Sequence, residues 1–238
     1  MEELKILDVK LHNVSFEETI SAIDLFVKNG GTNLVVTLGT EMVMNAQKDH
    51  IFKNIVNSAS LVCADGVGLV WAGKRYGFSM KGKVAGVELF EEIVKLSGQK
   101  NWRLFFLGAS EGTAETAKNR LLEKYPDANI VGIHHGFFKN DEEIKNILKQ
   151  ATPDILFLAL GSPKQELWYN KYAQELNIPV GIGVGGSFDV HAGKVDRAPQ
   201  WMIRLSLEWL YRLLRQPARF VRMLVLPKFM IKILCSKR

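Results

Sequence analysis

A carboxylate standing directly after an apolar run is the most pointed chemical feature of this sequence: Leu61-Val-Cys-Ala64 ends in Asp65. At the mouth of a core, partial desolvation raises such a carboxyl toward the pKa of a useful general base. The same residue would also cap a helix opening at Gly66, and the residues alone leave both roles open. Two further segments combine turn formers with polar groups. Thr37-Leu-Gly39-Thr40 closes one apolar run, while Gly161-Ser-Pro-Lys-Gln165-Glu166 closes another and starts a helical pattern. Amides and side chains of a first helical turn suit phosphate or sugar hydroxyls, although ordinary first-turn charge placement explains the same residues. A glycine-rich stretch from Gly183 through Gly185 to Asp189 is placed to close over the same ligand.

Other arrangements of reactive residues do not hold up. Gly68-Leu-Val-Trp-Ala-Gly73-Lys74 has phosphate-loop spacing, but Arg75 stands where a hydroxyl would hold magnesium, and the run reads as amphipathic helix. Gly181-Ile-Gly183-Val-Gly185-Gly186 fits a dinucleotide fingerprint, yet no βαβ unit with a ribose-binding acid follows. The five histidines lack His-Glu-x-x-His spacing, and neither Cys-x-x-Cys nor Asp-x-Asp occurs, so no metal site and no cofactor is expected. His134-His135 reads as a strand end at the surface.

Those polar segments can act together only if the chain brings their ends to one place. Apolar runs rich in β-branched and aromatic residues recur, each followed by a helical period. That is the pattern of an α/β protein with a largely parallel, Rossmann-like sheet flanked by helices. Strands are expected at 33–38, 60–64, 103–107, 129–133, 154–160 and 179–184, with a short edge strand at 6–11. Helices are expected at 15–28, 40–57 with a break near Asp49, 66–76, 87–97, 110–124, 141–150 and 163–176. Capping types mark several starts: Ser15 with Glu18 three residues on, Ser110 before an acidic turn, and Pro163 at a first helical position. In a parallel sheet the three polar segments then share the C-terminal edge, where ligands of open α/β sheets bind.

The net charge of +6 is unevenly spread. Residues 1–196 hold 21 Lys/Arg against 24 Asp/Glu, whereas residues 197–238 hold ten against the single Glu208. From Pro199 onward, arginines alternate with Trp, Leu, Ile and Met, punctuated by Pro217 and Pro227. The organisation expected is an α/β body over 1–195 and a basic amphipathic helical appendage over 196–238. Arg212, Arg215, Arg219 and Arg222 share one face if the helix continues past Pro217. Such an element fits an anionic membrane surface. A solvated nucleic-acid arm would not need the interspersed apolar residues, so nucleic acid is set aside as a partner. Off the membrane, the same face could be buried in a homo-oligomer. No apolar run reaches the roughly 18 residues of a membrane span, the N-terminus lacks a signal peptide's apolar stretch, and Cys63 and Cys235 form no disulfide framework. A cytoplasmic protein, peripheral on the inner face of the cell membrane, is expected.

Together with Arg197-Ala-Pro and Leu207-Glu-Trp-Leu-Tyr-Arg212-Leu, these segments resemble the WecG/TagA/CpsF family of glycosyltransferases along nearly the whole chain. The ordered pattern Gly-x-Pro-Lys-Gln-Glu, Gly-Gly-x-Phe-Asp, Arg-Ala-Pro and Leu-Glu-Trp-x-x-Arg carries the resemblance. It implies a UDP-sugar donor and an undecaprenyl-pyrophosphate-linked N-acetylglucosamine acceptor, as in pathways of wall teichoic acid and other surface polymers. The teichoic-acid branch implies UDP-N-acetylmannosamine and a β-1,4 linkage. It further implies Asp65 as the base and Thr37 as an orienting group. Substrate contacts would come from Gly39, Gly108, Gly161, Gln165, Glu166, Gly185, Asp189, Arg212, Arg215, Arg219 and Arg222. The missing Asp-x-Asp points to amides, a helix N-terminus and arginines, with no metal, as the groups that steady the leaving UDP. Many relatives carry Asn where this chain has Gly39, a departure that weakens activity if that Asn touches a substrate.

Overall fold

The computed structural model describes residues 1–205, 207–215 and 224–236. The apolar runs form strands β3 (Asn33–Leu38), β4 (Leu61–Ala64), β5 (Leu104–Gly108), β6 (Ile130–His134), β7 (Ile155–Ala159) and β8 (Val180–Gly183), each within one residue of the bounds expected from sequence. They make one six-stranded sheet in the order β4-β3-β8-β7-β5-β6, with every pair parallel. Its inner strands are almost wholly apolar because both faces are covered, with Asn33 and Thr37 of β3 as polar exceptions. Val36, Leu38, Leu156 and Leu158 face one core; Val35, Phe106, Phe157 and Ile182 face the other.

Helices α1 (Phe16–Asn29), α5 (Gly86–Lys100), α6 (Thr113–Lys124) and α9 (Ser187–His191) contribute to the second core. Helices α2 (Thr40–Ala46), α3 (His50–Ser58), α4 (Val67–Arg75), α7 (Asp141–Ala151) and α8 (Lys164–Leu176) contribute to the first. Ser15 and Glu18 make the reciprocal capping box that their spacing announces. The break at Asp49 is also where expected: its side chain accepts the Phe52 amide at 2.9 Å and starts α3 afresh. Gly68 to Arg75 is helix and not a phosphate loop.

Three local expectations are corrected. The N-terminal strand is a hairpin, β1 (Glu2–Ile6) and β2 (Val9–Asn13), forming its own two-stranded sheet. Leu7 and Asp8, with φ of 50° and 60°, make the turn, the left-handed pair a two-residue hairpin needs. Buried Leu4 and Ile6 are followed by buried Val9 and Leu11, and that slip in the two-residue period marks the turn. Helix α6 is capped by Gly112, while the Ser110 hydroxyl lies 2.7 Å from that of Thr113. Pro163 occupies the cap position of α8 and not its first helical position. A further helix, α9, forms over 187–191 within the segment placed to close over the ligand, with Phe188 buried in the core.

The hairpin shields β4, the edge of the main sheet, and His12 ties the two together. Its Nδ1 accepts the Val62 amide at 2.9 Å in a buried setting. Burial, aided by Lys10, holds the His12 pKa below the ordinary histidine value, and burial does the same for His191. A depressed folded value gives stability that is full above about pH 6.5 and is lost as pH falls through the folded value. Each pH unit between the two values amounts to about 1.4 kcal/mol. The urea midpoint is therefore expected to drop between pH 7.5 and 5.5, with a shallower slope in His12→Gln. An equal slope would show that His12 is not responsible.

Beyond α9 the chain forms α10 (Gln200–Arg204), α11 (Glu208–Arg215) and α12 (Val225–Cys235). Helix α12 lies against α2 and α4, with Phe229 and Ile233 each 1% exposed in the first core. The Tyr76 hydroxyl meets that of Ser236 at 2.6 Å. Arg219, Arg222 and the passage across Pro217 lie outside the described residues.

Candidate active site

The strand order sets β4, β3, β8 and β7 side by side, so the segments that follow Leu38, Ala64, Ala159 and Gly183 line one stretch of the C-terminal edge. Strand β3 runs into α2 on one face, and its neighbour β8 runs into α9 on the other. The loops part between them, the place where open α/β sheets accept ligands. Thr37, 9% exposed, bridges that parting with a 3.0 Å hydrogen bond from Oγ1 to the Gly183 carbonyl. Asp65 is half-buried one strand away, its amide donating to the Leu38 carbonyl at 2.8 Å. Gly66, not Asp65, is the cap of α4, and no side chain caps that helix. Helix capping therefore does not account for the carboxylate at position 65.

A third segment, passed over in the sequence, joins these two. The Val84 amide donates to the Ala64 carbonyl at 2.7 Å, which brings Lys83 to the same strand end. Gly86 then starts α5 against Thr37, where a Cβ would stand 3.0 Å from Oγ1. The paired glycines flanking Lys83-Val-Ala were the available signal.

On the other side of Thr37, Gln165 and Glu166 occupy the first turn of α8 and are 4% and 1% exposed. They lie directly over Gly183, where a Cβ would come within 2.9 Å of Glu166 Oε1 and closer still to the Gln165 amide. Burial pushes the Glu166 carboxyl up, with the Gln165 amide and the Ser162 hydroxyl pulling it back. Gly161, at φ 78°, turns the chain into this helix, and Gly185, at φ 50°, follows β8. Asp189 is half-buried in α9. Gly108 ends β5 two strands from Gly183, with its Cα packed on the Ala159 backbone.

Of the four tail arginines, the side chain of Arg215 lies among the described residues. Arg215 is exposed and pairs with Asp196 at 3.2 Å and with the Tyr211 hydroxyl at 3.2 Å. Arg212 lies in α11. A hollow of about 300 Å³ is lined by Phe16, Glu88, Glu91, Glu92, Lys95 and Tyr125. Its three carboxylates are each paired with a cation, Arg197, Lys124 and Lys95, and no residue of the strand-end segments lines it. Among the described residues, no three of His, Cys, Asp or Glu come together as a metal-holding group.

Residues 4–238 match the glycosyl transferase WecG/TagA/CpsF family. The chain belongs to that family. It is 34% identical over 239 residues to a Staphylococcus aureus (strain MW2) protein, covering 99% of this chain and 94% of that one. It is 36% identical over 204 residues to one from Bacillus spizizenii, covering 86% and 79%. Both relatives are described as N-acetylglucosaminyldiphosphoundecaprenol N-acetyl-beta-D-mannosaminyltransferase.

Gly39, where the resemblance implies Asn in many relatives, has open space around it. Gly39 caps α2 at φ −103° and ψ 165°, extended backbone that any residue adopts, and no atom lies within 4 Å of its would-be Cβ. Asn fits there without strain and would cap α2, adding a few tenths of a kcal/mol, about the difference between Asn and Gly as caps. It would also place an amide beside the Thr37 strand end. Gly39→Asn is expected to raise turnover about fivefold, the worth of one hydrogen bond of about 1 kcal/mol. Unchanged turnover with a raised melting temperature would leave the position a cap alone.

Proposed function

We propose that this chain transfers N-acetylmannosamine from UDP-N-acetylmannosamine to undecaprenyl-pyrophosphate-linked N-acetylglucosamine, forming a β-1,4 bond with inversion, in making the linkage unit of wall teichoic acid. The observation that carries the reading is a similarity covering 99% of the chain to an N-acetyl-beta-D-mannosaminyltransferase. The conjunction of Asp65 and Thr37 at neighbouring strand ends supports it. An α-linked donor giving a β-linked product needs one displacement and one base. Asp65 takes the proton from the acceptor's 4-hydroxyl, and Thr37 orients the substrate. The departing UDP is steadied by amides around Gly161 and Gly185 and by cations, with Lys83 added to the tail arginines.

The lipid-linked acceptor requires the enzyme to work at a membrane. No helix among the described residues is long and apolar enough to cross one. Helix α12 instead turns its two deeply buried side chains inward and leaves Met230, Ile231 and Leu234 exposed beside Lys228 and Lys232. Trp201, Leu205, Trp209 and Leu214 add exposed apolar area on and around α10 and α11. Such a surface suits the anionic inner leaflet, where each cation contributes about 1 kcal/mol. Off the membrane the same surface is expected to drive self-association.

The deciding experiment is UDP release by the full chain with UDP-N-acetylmannosamine and a lipid-pyrophosphate N-acetylglucosamine, in detergent or liposomes, with and without EDTA. Acceptor-dependent release is expected, and it should survive EDTA. Release only with a different UDP-sugar would overturn the donor assignment while keeping the family.

A further inference from the structure

Gln165 and Glu166 stand in the first turn of a helix, where side chains are ordinarily solvated, yet both are almost wholly buried. They are also bonded to each other: Gln165 Nε2 donates to Glu166 Oε1 at 2.8 Å. That bond commits the donor half of the Gln165 amide to its neighbour. Two acceptor atoms are left: Gln165 Oε1, buried and without a hydrogen-bond partner among the described residues, and Glu166 Oε2, which has no well-formed hydrogen bond and only the Ser162 hydroxyl and its own amide near the carboxyl. A desolvated acceptor with no donor destabilises the fold unless a ligand supplies one. Gly183 is what permits the arrangement, since any Cβ there would strike both side chains. The same Gly183 carries the carbonyl to which Thr37 is bonded, so one residue joins the buried pair to the Thr37 strand end. Phosphate oxygens only accept hydrogen bonds and cannot satisfy such acceptors. Hydroxyls and N–H groups can.

We propose that Glu166 is a positioning residue: it holds the Gln165 amide so that the Gln165 carbonyl oxygen accepts a hydrogen bond from a neutral donor group of the nucleotide sugar. The inference rests on the reading of this edge as a UDP-sugar site and specifies which part of the ligand meets α8. The pyrophosphate is held elsewhere, by amides and cations. Two parts of the donor carry suitable groups: the sugar, through its hydroxyls and acetamido N–H, and the nucleoside, through its ribose hydroxyls and uracil N–H. A buried carboxyl whose pKa is raised also suits this task, because the neutral acid's carbonyl oxygen still accepts from Nε2.

The test is calorimetric binding of UDP-N-acetylmannosamine, UDP and inorganic pyrophosphate to the full-length protein in detergent. Wild type is compared with Glu166→Leu, Glu166→Gln and Gln165→Met. Glu166→Leu and Gln165→Met are expected to weaken UDP-N-acetylmannosamine about tenfold, the loss of one well-made hydrogen bond. Glu166→Gln keeps an oxygen for the Gln165 amide and is expected to stay within about twofold of wild type. Pyrophosphate should bind all four proteins alike, which also reports that the site is folded. A loss shared by UDP places the donor group on the nucleoside; a loss confined to UDP-N-acetylmannosamine places it on the sugar. Pyrophosphate weakened in parallel, or Glu166→Leu binding as wild type does, overturns the proposal. A wild-type protein that binds no UDP-sugar would refute the enzymatic reading itself.

Discussion

Asp65→Asn is expected to lower turnover by about 10²–10⁴-fold, the range for losing a positioned general base. Affinity for UDP-N-acetylmannosamine and the unfolding midpoint should stay near wild type. The separation follows from geometry: Gly66 caps α4 and no side chain does, so helix stability does not depend on a carboxylate at position 65. Asn keeps the volume and hydrogen-bonding reach of Asp but cannot take the acceptor's proton at neutral pH. Thr37→Val makes the contrasting case. The Thr37 hydroxyl bonds the Gly183 carbonyl, so its removal frees a carbonyl at the parting of the loops and disturbs β8 as well as substrate orientation. A smaller loss of turnover, about tenfold, with a measurable drop in stability of about 1 kcal/mol, is expected there. Steady-state UDP release alongside urea unfolding separates the two. Wild-type turnover in Asp65→Asn at saturating substrate would move the base elsewhere on the edge.

The strands were legible because a parallel sheet covered on both faces leaves little room for polar residues, and their bounds followed from where polar residues resume. The candidate site was legible for a related reason. Thr37, Asp65 and Gln165 all stand where an apolar run stops, and in a parallel sheet every such stop faces the same way. What the sequence hid depends on contacts between distant segments. Gln165 and Glu166 look like ordinary polar residues of a first helical turn, and nothing local announces that Gly183 opens a slot in which both are buried. Lys83 is hidden likewise, since only the hydrogen bond from Val84 to Ala64 attaches its loop to β4. The hairpin turn at Leu7 and Asp8 lacks the Gly or Asn that usually signals left-handed backbone.

The charge pattern divides the chain near residue 196, but the packing of α12 does not follow that division. Phe229→Ala is expected to cost about 3–5 kcal/mol, as for other fully buried aromatics, a large part of the roughly 5–15 kcal/mol that holds a domain folded. Phe229 and Ile233 fill the core shared by α2 and α4, the helices whose first turns follow Thr37 and Asp65. Loosening α12 should therefore lower turnover together with stability. Met230→Ser on the outward side of the same helix, 48% exposed, is expected to change stability by no more than about 0.5 kcal/mol while weakening flotation with anionic vesicles. Urea unfolding and vesicle flotation on the two variants distinguish a helix that belongs to the fold from one that merely hangs from it. If Phe229→Ala leaves the urea midpoint unchanged, residues 196–238 form the separable appendage that their charge suggests. If it lowers the midpoint in one cooperative transition, one helix carries the apolar face proposed to meet lipid and also braces the two helices that open from the candidate site. Contact with the membrane would then bear on the geometry of Thr37 and Asp65 through α12 packing, with no separate moving part required.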